Sequence, residues 1–230
     1  MATRPAKCCK ACDYSSPTAT AAYWRKIDGE SNHSARAANH SRLLTDMPLT
    51  QRTHLIRPSR DEDLPAIAAI YAHHVLHGTG SFETDPPGVV EMGARRADVL
   101  SKGLPYLVAE QDGTIAGFAY CNWFKPRPAY RYSVEDSVYL APDLQRRGLG
   151  RALLTELLTR CEATGIRKVM AIVGDSANAG SVGVHLALGF TQVGVIESCG
   201  WKFGAWRDIV IMQKTLGAGD TQPPLDLVTP

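Results

Sequence analysis

The period of the apolar positions changes along the chain, and each change marks an element. Thr53-His54-Leu55-Ile56-Arg57 reads as a short first strand that Pro58 ends. Leu64, Ile67, Ala68, Tyr71 and Val75 then recur at helical spacing, with Ser59 or Asp61 placed to cap the helix. Ser81 to Pro87 holds two prolines and reads as a stiff loop. A second helix is predicted over Gly88 to Lys102, on Val89, Met92, Arg96 and Val99. Tyr106 to Glu110 and Thr114 to Trp123 are strand-like and flank Asp112-Gly113, a tight hairpin signal. After the rigid basic loop Lys125-Pro126-Arg127-Pro128, Arg131 to Leu140 is again strand-like. Arg151 to Thr164 returns to helical spacing, with Leu149, Leu153 and Leu157 beside Leu154, Leu158 and Cys161. Arg167 to Val173 is a strand, Gly174 to Asn178 a turn, and the helix that follows runs to Leu188 and stops at Gly189. Phe190 to Glu197 and Trp206 to Lys214 are the last strands, joined through Trp201 to Ala205. The order is β-α-α-β-β-β-α-β-α-β-β, which predicts an α/β fold: a mixed sheet with helices on both faces.

One junction carries chemistry. Between a strand and a helix lies Gln145-Arg146-Arg147-Gly148-Leu149-Gly150. Such a loop can turn its N–H groups toward one point, and the helix adds the positive end of its dipole. Gly148 and Gly150 let the backbone approach a bound group, and Arg146 and Arg147 add positive charge. The chemistry is that of a pyrophosphate cradle. It is not a Walker loop, since no Gly-Lys-Ser/Thr follows, and the G-x-G-x-x-G dinucleotide pattern is absent.

Composition narrows the picture. A net charge of +2 over 230 residues implies no strongly charged partner, so neither nucleic acid nor a membrane is expected. The six cysteines do not form a disulfide framework. Cys121, Cys161 and Cys199 stand apart in apolar segments and are expected to be reduced and buried, as in a cytoplasmic protein. His73, His74 and His77 are expected on a helix surface or loop. Residues 1–46 lack apolar periodicity and read as a disordered extension. Their Cys8, Cys9 and Cys12 lack the balanced pairing of a zinc site, and acidic residues interrupt any transit peptide. Met47, just ahead of the first strand, is a candidate natural start. The domain is placed at 47–216, and 217–230 reads as a loose tail.

The loop, in its Q/R-x-x-G-x-G/A form, resembles the acetyl-CoA loop of the GCN5-related N-acetyltransferases, and the element order is theirs. A closer resemblance, over about Thr53 to Leu216, is to the phosphinothricin and methionine sulfoximine/sulfone N-acetyltransferases of that superfamily. It rests on Ser81-Phe82-Glu83-Thr84, Tyr130-Arg131, Val134-Glu135-x-Ser137-Val138-Tyr139 and the Gln145 to Gly150 loop. Asn178-x-x-Ser181-x-x-x-His185-x-x-Leu188-Gly189-Phe190 and Lys202-x-Gly204-x-Trp206-x-Asp208 complete it. No single motif is specific; together they are.

The resemblance implies an acetyl-CoA-dependent acetylation of the α-amine of a small amino acid analogue, with no metal, and a role in detoxification or herbicide resistance. It assigns Glu135 as general base, which the protonated amine requires. Asp136 is the rival, turned by strand alternation to the other face. Backbone N–H groups of Val138, Tyr139 and Leu140 would meet the oxyanion and the pantetheine arm if that strand splays from its neighbour. Asn178, Ser181 and His185 share a helix face, and His185 can reach the sulfur or the base. Lys125, Arg127 and Arg131 offer partners for a substrate carboxylate. Phe82 and Glu83 match the acceptor-site motif, while Tyr130 and Trp206 wall the pocket or pack in the core. Members of the family are usually homodimers. Two other readings stay open: an acetyltransferase acting on protein N-termini or lysines, and a non-catalytic acetyl-CoA sensor.

Overall fold

The computed structural model describes residues 54–224; the expectations for residues 1–46 and for the end of the tail lie outside them. Seven strands and four helices follow in the predicted order. They are β1 (His54–Pro58), α1 (Leu64–His77), α2 (Val89–Ser101), β2 (Tyr106–Gln111), β3 (Thr114–Trp123), β4 (Ser133–Leu140), α3 (Leu149–Ala163), β5 (Lys168–Gly174), α4 (Ala179–Ala187), β6 (Thr191–Lys202) and β7 (Ala205–Thr215). The strands form one sheet in the order β1-β2-β3-β4-β5-β7-β6. All neighbours are antiparallel except β4 and β5, which run parallel.

Strand alternation divides the core into two layers. On one face Tyr106, Phe118, Tyr120 and Tyr139 stack across β2, β3 and β4, and Tyr71 of α1 meets Tyr139 edge-on at 5.0 Å between centroids. On the other, α3 buries Leu153, Leu154, Leu157, Leu158 and Cys161. Cys161 Sγ lies 3.2 Å from Cys121 Sγ of β3, one residue along from Tyr120 and so on the opposite face. Each buried leucine contributes about 1.5–3 kcal/mol. Cys121 and Cys161 are buried free thiols as expected, but Cys199 is exposed.

The start of α1 differs from expectation. Its N-cap position is Asp63, with no capping hydrogen bond from the side chain. The Asp63 carboxylate is instead gripped by both terminal nitrogens of Arg57, each at 2.8 Å, and by the Arg60 N–H. Ser59 and Asp61, the expected caps, accept from Arg96 and so tie α2 to the end of β1. At the other end of the chain, β6 runs on to Lys202 instead of stopping at Glu197. Register shifts between Gln192 and Gly194 and between Ile196 and Gly200 absorb the breaker-like Ser198-Cys199-Gly200. The hairpin turn is only Phe203-Gly204, both at positive φ. Gly189, as predicted, closes α4 in the left-handed conformation: its N–H bonds Leu186 O and that of Phe190 bonds His185 O.

One feature of the sheet positions the site. The parallel pair β4–β5 is registered only over Ser133, Val134 and Glu135. Beyond Glu135 the strands part, as expected, while β4 stays paired with β3 as far as Leu140. The β4 backbone facing β5 is left without a strand partner over Asp136 to Leu140.

Candidate active site

The parted strands open into a cavity of about 1140 Å³. Its walls bring together Glu135 to Leu140 of β4, Ala171 to Gly174 of β5, and Asn178, Ser181 and His185 of α4. Gln145, Arg146, Gly148, Gly150 and Arg151 line one end. Thr79 to Glu83 line it from the loop after α1.

At the loop end, α3 begins at Leu149, two residues earlier than its spacing predicted, so Gly150 lies within its first turn. Gly148 sits before it at φ 81°, a left-handed value that a side chain would strain, and no side chain caps the helix. Arg146 is also left-handed, at φ 60°. Left- and right-handed residues in alternation gather successive N–H groups around an anion, and an uncapped first turn leaves more of them free. Leu149 is 1% exposed and turns its side chain into the core, leaving its backbone for a ligand. Arg147 is exposed and outside the lining.

At the centre, Glu135 points to the cavity and has no hydrogen-bonding side-chain partner among the described residues. Burial raises its pKa and the Asp136 charge adds to this, against the opposing charge of Lys125. Asp136 turns to the other face of β4, where His185 Nε2 lies 2.9 Å from its Oδ2. The other ring nitrogen, Nδ1, is 2.7 Å from Ser181 O. His185 thus pairs with Asp136, and both its nitrogens are occupied within the protein. Asn178 accepts from the Ser181 N–H through its Oδ1, which caps α4 and leaves its amide nitrogen for the cavity.

His74 also lines the cavity, where it was expected on a surface or loop. Its Nε2–H donates to Leu140 O at 2.8 Å, and its ring lies 5.4 Å from that of Tyr139. Burial lowers its pKa, so it acts as a neutral donor that fixes the parted end of β4. Its position, three residues after Tyr71 and seven after Ile67, lay on the buried stripe of α1 and was the signal for this role.

The loop after α1 is braced on all sides. Glu83 accepts from Tyr71 O–H at 2.9 Å and from Arg95 at 2.7 Å, and Tyr71 O–H also meets Ser81 Oγ. Burial pushes the Tyr71 pKa up to about 12, which keeps it a donor. Buried Lys202 donates to Ser81 O. Phe82 lies where a Cβ on Gly200 would be, and Thr79 O closes over Gly174. In the sequence Gly174 read only as the start of a turn, and Gly200 was not singled out.

The expected substrate cations are placed otherwise. Lys125, Pro126, Arg127, Tyr130 and Arg131 are exposed on the connection from β3 to β4 and do not line the cavity. Arg131 stacks on Tyr132. Tyr130 is 39% and Trp206 61% exposed, so neither walls the pocket nor packs in the core. Among the described residues no helix is long and apolar enough to cross a membrane, and no His, Cys, Asp or Glu cluster gathers three metal ligands.

Parted parallel strands beside an uncapped glycine loop fit a pantetheine arm and its pyrophosphate, and they define an acyl-CoA-dependent acyltransferase. The comparisons agree. The Acetyltransferase (GNAT) family matches residues 67–190. A phosphinothricin N-acetyltransferase of Alcaligenes faecalis is 57% identical over 169 residues, covering 74% of this chain and 86% of that one. An L-methionine sulfoximine/L-methionine sulfone acetyltransferase of Salmonella typhimurium is 37% identical, over 70% of this chain and 94% of its own. A solved phosphinothricin acetyltransferase of Sinorhizobium meliloti, in complex with AcCoA, superposes with a TM-score of 0.75 at 40% identity, over 77% of this chain and 96% of that one. The chain belongs to the GNAT family; it is an acetyltransferase, and acetyl-CoA is its co-substrate.

Proposed function

We propose that the protein acetylates the α-amino group of a small amino acid analogue, L-phosphinothricin or L-methionine sulfoximine or sulfone, by direct transfer from acetyl-CoA with Glu135 as general base. The observation that carries the mechanism is Glu135 itself: a cavity carboxylate without a hydrogen-bond partner among the described residues, at the residue where β4 and β5 part. The relatives named for these substrates support the acceptor class. The braced Phe82 loop supports a closed acceptor pocket over an open groove for protein.

In this reading Glu135 takes a proton from the ammonium, directly or through water, and the freed amine attacks the thioester carbonyl. Backbone N–H groups of Val138 and Leu140, on the side of β4 that has parted from β5, stabilise the oxyanion, while Tyr139 between them pairs with Phe118 of β3. Collapse of the oxyanion breaks the carbon–sulfur bond, and the attacking nitrogen gives up its second proton as the leaving thiolate takes one up, so the products are the amide and CoA. Gln145, Arg146, Arg147, Gly148, Leu149 and Gly150 hold the pyrophosphate, and Asn178 and Ser181 flank the arm. Phe82 and Glu83 shape the acceptor site. Lys125, with Pro126, Arg127, Tyr130 and Arg131 on the same connection, forms a rim for the substrate carboxylate. Its charge already acts on Glu135.

We further propose a cytoplasmic homodimer acting in detoxification. The adjacent free thiols of Cys121 and Cys161 support a reducing compartment. The apolar edge of β6 supports a second copy as partner.

The test is CoA release from acetyl-CoA against L-phosphinothricin, L-methionine sulfoximine, L-methionine sulfone, common amino acids and a short peptide, with Glu135→Gln beside the wild type. Turnover on the analogues that is lost in the variant supports both substrate class and base. Turnover on the peptide alone overturns the substrate class. Acetyl-CoA binding without turnover on any amine leaves the sensor reading instead.

A further inference from the structure

Behind β4 lies a buried pair whose protons can be counted. Asp136 is 7% exposed and His185 4%. A carbonyl oxygen only accepts, so the 2.7 Å contact with Ser181 O requires hydrogen on His185 Nδ1. The 2.9 Å contact between Nε2 and Asp136 Oδ2 then needs a proton of its own. Without one, a lone pair would face a carboxylate in a buried site, which is costly. The pair therefore holds one proton more than a neutral imidazole beside a carboxylate, and its charges cancel.

The surroundings leave this pair to itself. On β3, Cys121 stands opposite Asp136, with Cys161 of α3 behind it. The Phe190 ring packs edge-on against His185 at 4.9 Å, and the buried cavity-lining residues of β5 are Ala171, Val173 and Gly174, none of them charged. On β4 the neighbouring ionisable group is Glu135, the next residue in the chain. Asp136 Oδ1 is buried and has no hydrogen-bond partner among the described residues.

We propose that Asp136 is a positioning residue for the acetyl transfer: it keeps His185 as an imidazolium, and this buried ion pair sets the charge against which Glu135 works as a base. The proposal rests on Glu135 being that base. Two shifts agree with the geometry. Burial lowers the His185 pKa, but the Asp136 bond and charge, with the Ser181 carbonyl, outweigh it and leave the value raised. After burial, the Asp136 charge is the next cause of the raised Glu135 value. With a raised folded pKa, the stability from His185 is full below 6.5 and is lost as the pH rises through that higher value.

The experiment compares pH profiles of kcat/KM for the wild type, Asp136→Asn and His185→Gln, beside Glu135→Gln. It also follows the His185 imidazole nitrogens of the wild type by NMR. Asn at 136 keeps the shape and can donate to a neutral Nε2, but it removes the charge, so the acid limb moves to lower pH. Gln at 185 leaves Asp136 uncompensated, so the limb moves to higher pH. Each shift is about one pH unit or less, and the wild-type imidazole stays doubly protonated at pH 7. Opposite shifts support the proposal. Shifts in one direction, or none, with an inactive Glu135→Gln overturn it alone. A neutral wild-type imidazole at pH 7 overturns it even if neither variant folds. Full activity in Glu135→Gln removes the base assignment and this proposal with it.

Discussion

As the proposed base, Glu135 must be ionised to act, so its environment sets a pH requirement. Burial first, and then the Asp136 charge, raise its pKa above the ordinary 4.5, while Lys125 pulls it back. A base must be unprotonated, so kcat/KM falls as the pH drops through that raised value. Lys125→Gln removes the opposing charge and moves the acid limb to higher pH, which a pH–rate profile reads directly. Glu135→Gln loses the limb and about 10²–10⁴ in kcat. At this scale the sequence was informative where a residue's role depends on its own strand or helix. The placements of Glu135, Asn178 and Ser181 follow from alternation and helical phase, and all three reach the cavity. It was uninformative where the role depends on a distant element. Alternation turned Asp136 away from Glu135, but only the packing of α4 against β5 sets His185 beneath it. His74 was passed over for the same reason, since its partner, Leu140 O, is 66 residues away.

Elements were legible because each carries its own period and its own stops. Boundaries moved by a residue or two except at β6, where two register shifts hid a strand that continues. What local pattern does not report is contact between elements. Gly174 read as a turn residue and Gly200 drew no reading, yet both are places where the loop after α1 presses on the sheet. A Cβ at 174 collides with the Thr79 carbonyl, a backbone atom that cannot swing aside. Gly174→Ala is therefore expected to cost about 1–3 kcal/mol in urea denaturation and to raise KM for the amine through the displaced loop. An unchanged KM would separate loop from site. The clamp at the start of α1 gives a second case. Asp63 is 3% exposed between Arg57 and the Arg60 N–H. Asp63→Asn removes one of the two carboxylates on Arg57 and leaves it Glu110, at 2.9 Å, so the expected cost is about 1.5–3 kcal/mol. The Arg57 bond, opposed by burial, holds the Asp63 pKa below 3.8, so this stability is complete above 3.8 and disappears as the pH falls through the lower folded value. Melting temperatures of wild type and variant should therefore converge in acid.

At the scale of the whole molecule, the sheet ends in an edge that no other described element covers. β6 is twelve residues long and, among the described residues, pairs only with β7. Along it Val193 is 56% exposed, Val195 43%, Ile196 46% and Trp201 59%, and Phe203 and Trp206 at the hairpin are 52% and 61%. A long apolar edge left in water invites another chain. The sequence expectation of a homodimer came from resemblance alone, because exposure is a property of the folded sheet and no period in β6 distinguishes a covered face from a bare one. The edge also borders the proposed acceptor site, since Gly200 of β6 seats Phe82. If a second copy covers β6, light scattering behind size exclusion gives twice the 25.0 kDa of one chain. Val195→Lys, or Trp201→Lys beside it, then yields a folded monomer whose KM for the amine rises while acetyl-CoA binding holds, because Phe82 lies at the acceptor end and the Gly148 loop does not. A wild type that elutes as a monomer at assay concentration, with full turnover, would leave the apolar edge without the partner assigned to it.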